Sequence, residues 1–313
     1  DKFNLIPIGI PHHVINSKGK KLANTTPPAQ PFYSLLKELG PRSYPDFYFA
    51  HMAEWHYLPM DLAEAPFPTF ATTEDVDIHI QLLRHSLPSF DALITTGFKQ
   101  WELAIKNSGR PAFTFPKLFG IAENMPEFAP SRHKDLFISG GFNYPYHPEK
   151  ILIIRSLLES SLRGIDYNNG FLPPEDYYQR LGEAKTCFTF CRYPGAMPSR
   201  GLEALAMGCG VATEANSGMT LYFDETDGVF TYDDQTRSLP ETLLHIINHW
   251  DHVESHAKLG AEKVRREFAL SRCTSQFLRF LTVLAARPQH SKTQASPANN
   301  HKRHVRTKGW AFS

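Results

Sequence analysis

The stretch that decides the reading is "PSRGLEALAMGCGVATEANSG", Pro198–Gly218. Ser, Arg and Gly precede a short run of helix formers, and Gly208 closes it. Then comes "GVATEA", an apolar run short enough for a buried strand. Ser199 suits a helix N-cap, since its hydroxyl can accept a free N–H of the first turn. Leu202, Leu205 and Ala206 form the packing stripe, and Ala204, Ala206 and Gly208 let the helix lie close to its neighbours. Glu203 points off that stripe. Two readings of it stand side by side. It offsets the helix dipole at an exposed first turn, or it grips vicinal hydroxyls at the end of an α/β sheet where ligands collect. Arg200 can clamp a phosphate bidentately.

Outward from this stretch the chain alternates strands and helices. Upstream, "DLFISGG" (Asp135–Gly141) reads as a strand entering a glycine loop. "PEKILIIRSLLESSL" is a helix with Ile151, Ile154, Leu158 and Leu162 along one stripe. "PPEDYYQRLGEAK" opens with prolines and acids, a helix start, and "CFTFCR" is a strand. Downstream, "PETLLHIINHWDHVESHAKLGAEKVRREF" supplies two helices. In "ISGGFNYPYHPEK" the glycine pair lets backbone approach an anion, and the following helix offers free N–H groups. His147 and Lys150 lie where a cation reaches the same anion; an ordinary tight turn is the alternative.

The first half repeats the alternation. Strand candidates are Asn4–Ile10, Asp46–Met52, Phe67–Thr73, Asp91–Gly97 and "RPAFTFPKL". Helix candidates are Phe32–Gly40, "DIHIQLLRHSL" and "FKQWELAIKNSG". Such alternation predicts parallel sheets covered by helices. The Pro-rich "AENMPEFAPSRHKD" (Ala122–Asp135) reads as the interdomain linker. The expected organisation is a domain over 1–125, a second over 130–285, and a basic tail over 286–313. The tail holds six Lys/Arg, three His and no acid. It reads as flexible and solvated, with a phosphate-seeking or membrane-surface arm as the sharper alternative.

Bulk properties narrow the class. The 313 residues suit two domains, and 42% hydrophobic residues supply real cores. A net charge of +1 gives no global field for nucleic acid. Cys187, Cys191, Cys209 and Cys273 form no CxxC pair; they read as small buried thiols in a reducing cytoplasm. No apolar run reaches the roughly 18 residues of a membrane span. The start has no signal-peptide pattern. It also lacks a Met, so a truncated chain is expected.

The order of features from "EDYYQRLGEAKTCFTF" through "SRGLEALAMGCGVATEANSGMTLYFDETDGVFTYDD" resembles the C-terminal domain of GT-B glycosyltransferases. It is most similar to the glycosyl transferases group 1 set that includes CgeB-like spore maturation proteins. The likeness covers about Asp135 to Phe280, and the first half in outline only. It implies an α/β GT-B fold, two Rossmann-like domains facing across a cleft. The implied donor is a nucleotide sugar, UDP-linked, and no metal or cofactor is required. Glu203 would bind the ribose, and Gly140, Gly141 and Phe142 the diphosphate. Ser199 and Arg200 would face phosphates and sugar, and Phe171–Leu172 the base. Many relatives carry an earlier glutamate facing the transferred sugar; the matching position here is Gly195, which leaves donor sugar and stereochemistry open.

The first half would hold the acceptor: a carbohydrate, a lipid-linked molecule or a protein in cell-surface polysaccharide or glycoprotein assembly. "TTEDVDIH" offers Glu74, Asp75 and His79 for acceptor contact or proton handling, although these acids could simply begin a helix. "DVD" (Asp75–Asp77) could alternatively hold a divalent metal. In "HMAEWH" the two histidines lie off the usual ligand spacing, so Trp55 and His56 are read as acceptor contacts. Two rival functions share the resemblance: a nucleotide-sugar epimerase, and a degenerate GT-B module that binds a glycan or partner.

Overall fold

The computed structural model describes residues 31–39, 45–55, 58–74, 76–118, 120–126, 131–141, 148–170, 172–191 and 193–287. The expected strand Asn4–Ile10 and the basic tail lie outside them.

The chain forms two compact units. One comprises the described residues up to Ile94, Ala104–Ala112 and those from Thr282; the other comprises Thr95–Leu103 and Phe113–Leu281. Helix α1 (Phe32–Leu39) comes first. It is followed by β1 (Tyr48–Ala50), β2 (Thr69–Thr72), α2 (Val76–Ser86), β3 (Ala92–Thr95), α3 (Phe98–Ser108) and β4 (Ala112–Thr114). The sheet order is β1-β2-β3-β4, with β1/β2 and β2/β3 parallel. The core of the first unit gathers Phe32, Leu36, Phe67, Leu83, Leu87, Phe90 and Leu93. Asp61 caps α1 from a distance, accepting the Phe32 N–H at 2.5 Å and the Tyr33 N–H at 3.0 Å.

The second sheet is built from β5 (Lys134–Gly140), β6 (Ile165–Asn169), β7 (Ala184–Phe188), β8 (Gly210–Glu214) and β9 (Val229–Tyr232). Around it lie α4 (Pro148–Glu159), α5 (Pro174–Glu183), α6 (Ser199–Ala206), α7 (Ser238–Asn248), α8 (Trp250–Glu267) and α9 (Leu270–Ala285). All five strands are parallel, in the order β6-β5-β7-β8-β9. Successive side chains go to opposite faces. Phe137, Val211 and Val229 join α6 and α8 on one side; Leu136, Ile138, Ala212 and Phe230 join α4 and α7 on the other. Both faces are covered, so β8 is buried at every position.

Two local expectations change. The stripe of α4 is misplaced: Ile151 and Leu158 are exposed, while Ile153 and Leu157 are buried. The helix ends at Glu159, so Leu162 packs from the following loop and cannot set the face. Ser199 is not the N-cap of α6. Pro198 holds that position and no side chain caps the helix, because Ser199 already has helical geometry as the first residue. Two strands carry no clear period in sequence: edge strand β6, "IDYNN", has mixed exposure, and β9 follows a polar turn.

Among the described residues no helix is long and apolar enough to cross a membrane. Cys187, Cys209 and Cys273 are buried free thiols, and Cys191 is half-buried.

Candidate functional site

The strand order places the topological switch point between β5 and β7. The chain leaves β5 for β6 on one side and then crosses to β7 on the other. Helices leave the carboxyl ends of β5 and β7 in opposite directions, which opens a crevice there. Gly140 ends β5 with φ +121, a backbone state that L side chains rarely adopt. A Cβ at this position would lie 2.7 Å from Arg200 Nη2. Glycine therefore serves both the turn and the close approach of the guanidinium. Lys150, in the first turn of α4, donates to the Gly141 carbonyl at 3.3 Å. Lys150, Arg200, Ser139 and Phe190 line one small cavity of about 40 Å³. Two cations thus converge on a glycine turn beside a strand end, an arrangement suited to a phosphate.

Glu203 lies one helical turn after Arg200. It is half-buried, and its Oε2 accepts the Tyr177 hydroxyl at 2.9 Å. Burial pushes the Glu203 carboxyl above its ordinary range, while the Tyr177 bond and the Arg200 charge oppose the shift. Burial foremost, then the Glu203 charge, pushes the Tyr177 phenol up. Tyr177 also packs against Phe137 and Tyr178, with centroids 5.8 and 5.3 Å away. Leu172 is half-buried against the core that contains Phe137. No acid occupies the first turn of α6, so offsetting the helix dipole does not account for Glu203. It is a partly desolvated carboxylate held by a phenol through Oε2.

Gly195 also has positive φ, +77. A Cβ there would lie 3.0 Å from Cδ2 of Phe98, which belongs to the same unit. A glutamate at this position would adopt a strained left-handed backbone and press its Cβ against the Phe98 ring. The loop bearing Gly195 is tied to its neighbour: the Gly195 N–H donates to Asn216 O at 2.7 Å, and the Gly218 N–H to Ala196 O at 2.8 Å. Glu214, only 9% exposed, adds a third tie by accepting the Cys191 N–H at 2.6 Å.

The structure thus brings Gly140, Gly141, Lys150 and Arg200 together, with Glu203 one turn along, and Leu172 packs against the core on the α6 side of the sheet. Ser199 is exposed at the start of α6. Phe142, His147, Asp75 and His56, and the Trp55 side chain, lie outside the described residues. In the first unit, the Glu74 N–H donates to Glu54 Oε1 at 3.0 Å just past the carboxyl end of β2. His79 is half-buried in the first turns of α2. Among the described residues no group of three His, Cys, Asp or Glu is placed to hold a metal.

Sequence reasoning missed Tyr177, Glu214 and Glu54. Tyr177 is one of two adjacent tyrosines in a helix, and nothing local marks which one turns toward Glu203. Glu214 carried a usable signal, an acid ending an otherwise apolar strand. Glu54 is buried at 3% exposure, which its polar neighbourhood in sequence does not announce.

The two parallel α/β sheets and the switch-point crevice define the class of fold, and it is that of the GT-B glycosyltransferases. Residues 133–279 match the family model described as "Glycosyl transferase-like". Among solved structures the chain is similar to Anabaena Alr3699/HepE, described in complex with UDP and glucose. Identity is 13% and the TM-score 0.59, over 83% of this chain and 86% of that one. It is similar to the sucrose-phosphate synthase of Thermosynechococcus elongatus at 14% identity and TM-score 0.54, over 81% and 77%. It is also similar to TarM at 10% identity and TM-score 0.55, over 78% and 57%. No curated protein matches it in sequence.

Proposed function

We propose that the chain is a glycosyltransferase that takes a sugar from a UDP-linked donor and passes it to an acceptor hydroxyl. The observation that carries this reading is the spacing on α6. Arg200 faces the glycine turn of β5, and Glu203, one turn on, presents a fixed carboxylate. A nucleoside diphosphate offers a pyrophosphate and a ribose diol to such a pair. The likeness to HepE, described in complex with UDP and with UDP-glucose, supports the choice of donor.

In the reaction the bond between the sugar and the β-phosphate breaks and UDP leaves. Arg200 and Lys150 offset the charge that grows on the departing diphosphate, so the reading requires no metal. The acceptor hydroxyl forms the new glycosidic bond and gives its proton to a base. Glu74, Asp75 and His79 in the first half are assigned to that end of the reaction, with Trp55 and His56 as acceptor contacts. Carbohydrate, lipid-linked and protein acceptors all fit the reading, as does a place for the chain within the CgeB-like branch. A cytoplasmic enzyme meeting a membrane-bound acceptor through the 286–313 tail belongs to the same reading.

Calorimetry of UDP against wild type and Glu203→Ala tests the donor site. Weaker UDP binding by the variant is expected; equal affinity refutes the assignment. Incubating a nucleotide sugar without acceptor separates transfer from epimerisation, since only an epimerase returns a changed sugar nucleotide.

A further inference from the structure

Resting on that reading, we propose that an open cavity at the ends of β8 and β9 receives the transferred glycosyl group, and that it selects sugars lacking a carboxylate. The cavity measures about 590 Å³, within the range of small-molecule sites. Its walls come from three successive strand exits: Cys191 and Pro194 after β7, Glu214 and Asn216 at β8, Asp233 and Gln235 after β9.

The lining is chemistry for hydroxyls. Glu214 is nine-tenths buried yet borders the cavity. Its oxygens are fixed by the Cys191 N–H at 2.6 Å and the Gln235 carboxamide at 3.1 Å. Each carboxylate oxygen retains a further acceptor site. Asn216 and Gln235 add carboxamides, and Asp233 adds an exposed carboxylate. Among the described lining residues there is no Lys, Arg or His. A polyhydroxylated, uncharged or amino-bearing ring finds acceptors here, whereas a uronic acid meets like charge.

The position follows the order of a nucleotide sugar. Passing back along the chain from Glu203, the assigned ribose partner, Arg200 meets the diphosphate one turn away. The loop before α6 then leads to Cys191 and Pro194 on the cavity wall. Phe190 lines the small cationic cavity and the next residue, Cys191, lines this one. The arrangement also accounts for Gly195. Its positive φ and the Phe98 ring disfavour an acid there, and Glu214 brings a carboxylate to the same loop from the adjacent strand.

The test is calorimetry of UDP, UDP-glucose, UDP-galactose, UDP-N-acetylglucosamine and UDP-glucuronate against wild type, Glu214→Gln and Asp233→Asn. UDP itself should bind all three proteins within about 2-fold. The best neutral UDP-sugar should lose roughly 10-fold in Glu214→Gln and about 3-fold in Asp233→Asn, the loss of one or two hydrogen bonds. UDP-glucuronate should bind wild type roughly 10-fold more weakly than that sugar, and the gap should narrow in Asp233→Asn. Asp233 is exposed and keeps its backbone bond to Ser238 on substitution, so it decides the matter should Glu214→Gln fail to fold. Equal losses for UDP and UDP-sugar, unchanged sugar binding, or glucuronate bound as well as the neutral sugars would overturn the cavity assignment alone. Failure of wild type to bind any of these nucleotides would overturn the donor reading, and this one with it.

Discussion

The Tyr177 hydroxyl donates to Glu203 Oε2 at 2.9 Å, joining α5 to α6 across 26 residues of sequence. The bond fixes a partly buried carboxylate and leaves its other oxygen available for a ligand. Removing the carboxylate should therefore cost more than removing its support. Glu203→Ala is expected to weaken UDP binding roughly 10- to 100-fold, the worth of charged hydrogen bonds of about 1.5–3 kcal/mol. Tyr177→Phe should lose about 3- to 10-fold. Titration calorimetry reads both, and the reverse order would contradict the support role of Tyr177.

Glu203 also ties stability to pH. Burial holds its folded pKa above the ordinary value of 4.5. The folded state thus binds this proton more tightly than the unfolded chain. The contribution is fully present below the ordinary value and is lost as pH rises through the folded pKa. Glu203→Gln keeps an acceptor for Tyr177 without the charge. At neutral pH the variant should melt above wild type, and the two should converge as pH falls below the ordinary value. A melting difference that stays constant across this window would show that burial of the charge is not what Glu203 costs the fold.

Gly140 and Gly141 should respond differently to alanine. At Gly140 the Cβ meets the Arg200 guanidinium and the positive φ adds strain of about 1–2 kcal/mol. At Gly141 nothing lies within 4 Å of the added atom. Gly140→Ala should lower the melting temperature and weaken UDP binding by about 10-fold, and Gly141→Ala should leave both near wild type. Matching losses at both positions would mean that Arg200 does not depend on the glycine at 140.

The register of α4 is open to a direct check. Leu157 is fully buried and Leu158 is 64% exposed. Leu157→Ala should destabilise by about 2–5 kcal/mol, and Leu158→Ala by no more than about 0.5 kcal/mol. Denaturant unfolding of the pair measures the difference; equal effects would put the helix in another register.

If Arg200 and Lys150 carry the diphosphate charge, chelation should not matter. UDP affinity and sugar transfer are expected to be unchanged by EDTA, whereas Arg200→Lys should lose roughly 10-fold through the broken bidentate geometry. Activity abolished by EDTA and restored by a divalent cation would refute the metal-independent reading.

Much of the scaffold was legible because short-range rules write it. Strand–helix alternation, Pro starts and the glycine after α6 need only neighbours in sequence. The strands Tyr48–Ala50, Thr69–Thr72, Ala92–Thr95 and Gly210–Glu214 all fall inside the expected runs. Edge strand β6 was not legible, since one exposed side removes the apolar continuity that marks its neighbours. The face of α4 was misread for a related reason. "ILIIRSLLESSL" is apolar on more than one side, so period alone cannot choose which side is buried.

Sequence by itself determined most of the elements and the residue types at the site: a glycine pair after a strand, and Arg200 and Glu203 one helical turn apart. Tertiary structure alone decided their partners. Tyr177 reaches Glu203, Arg200 reaches Gly140, and Glu214 reaches the Cys191 backbone only because parallel strands bring distant loops to one edge of the sheet. It also decided that the Gly195 position favours glycine, through a backbone angle and an aromatic ring that no spacing encodes. Local pattern follows from backbone geometry, which neighbouring residues set; desolvation and pairing depend on what packs from elsewhere in the chain.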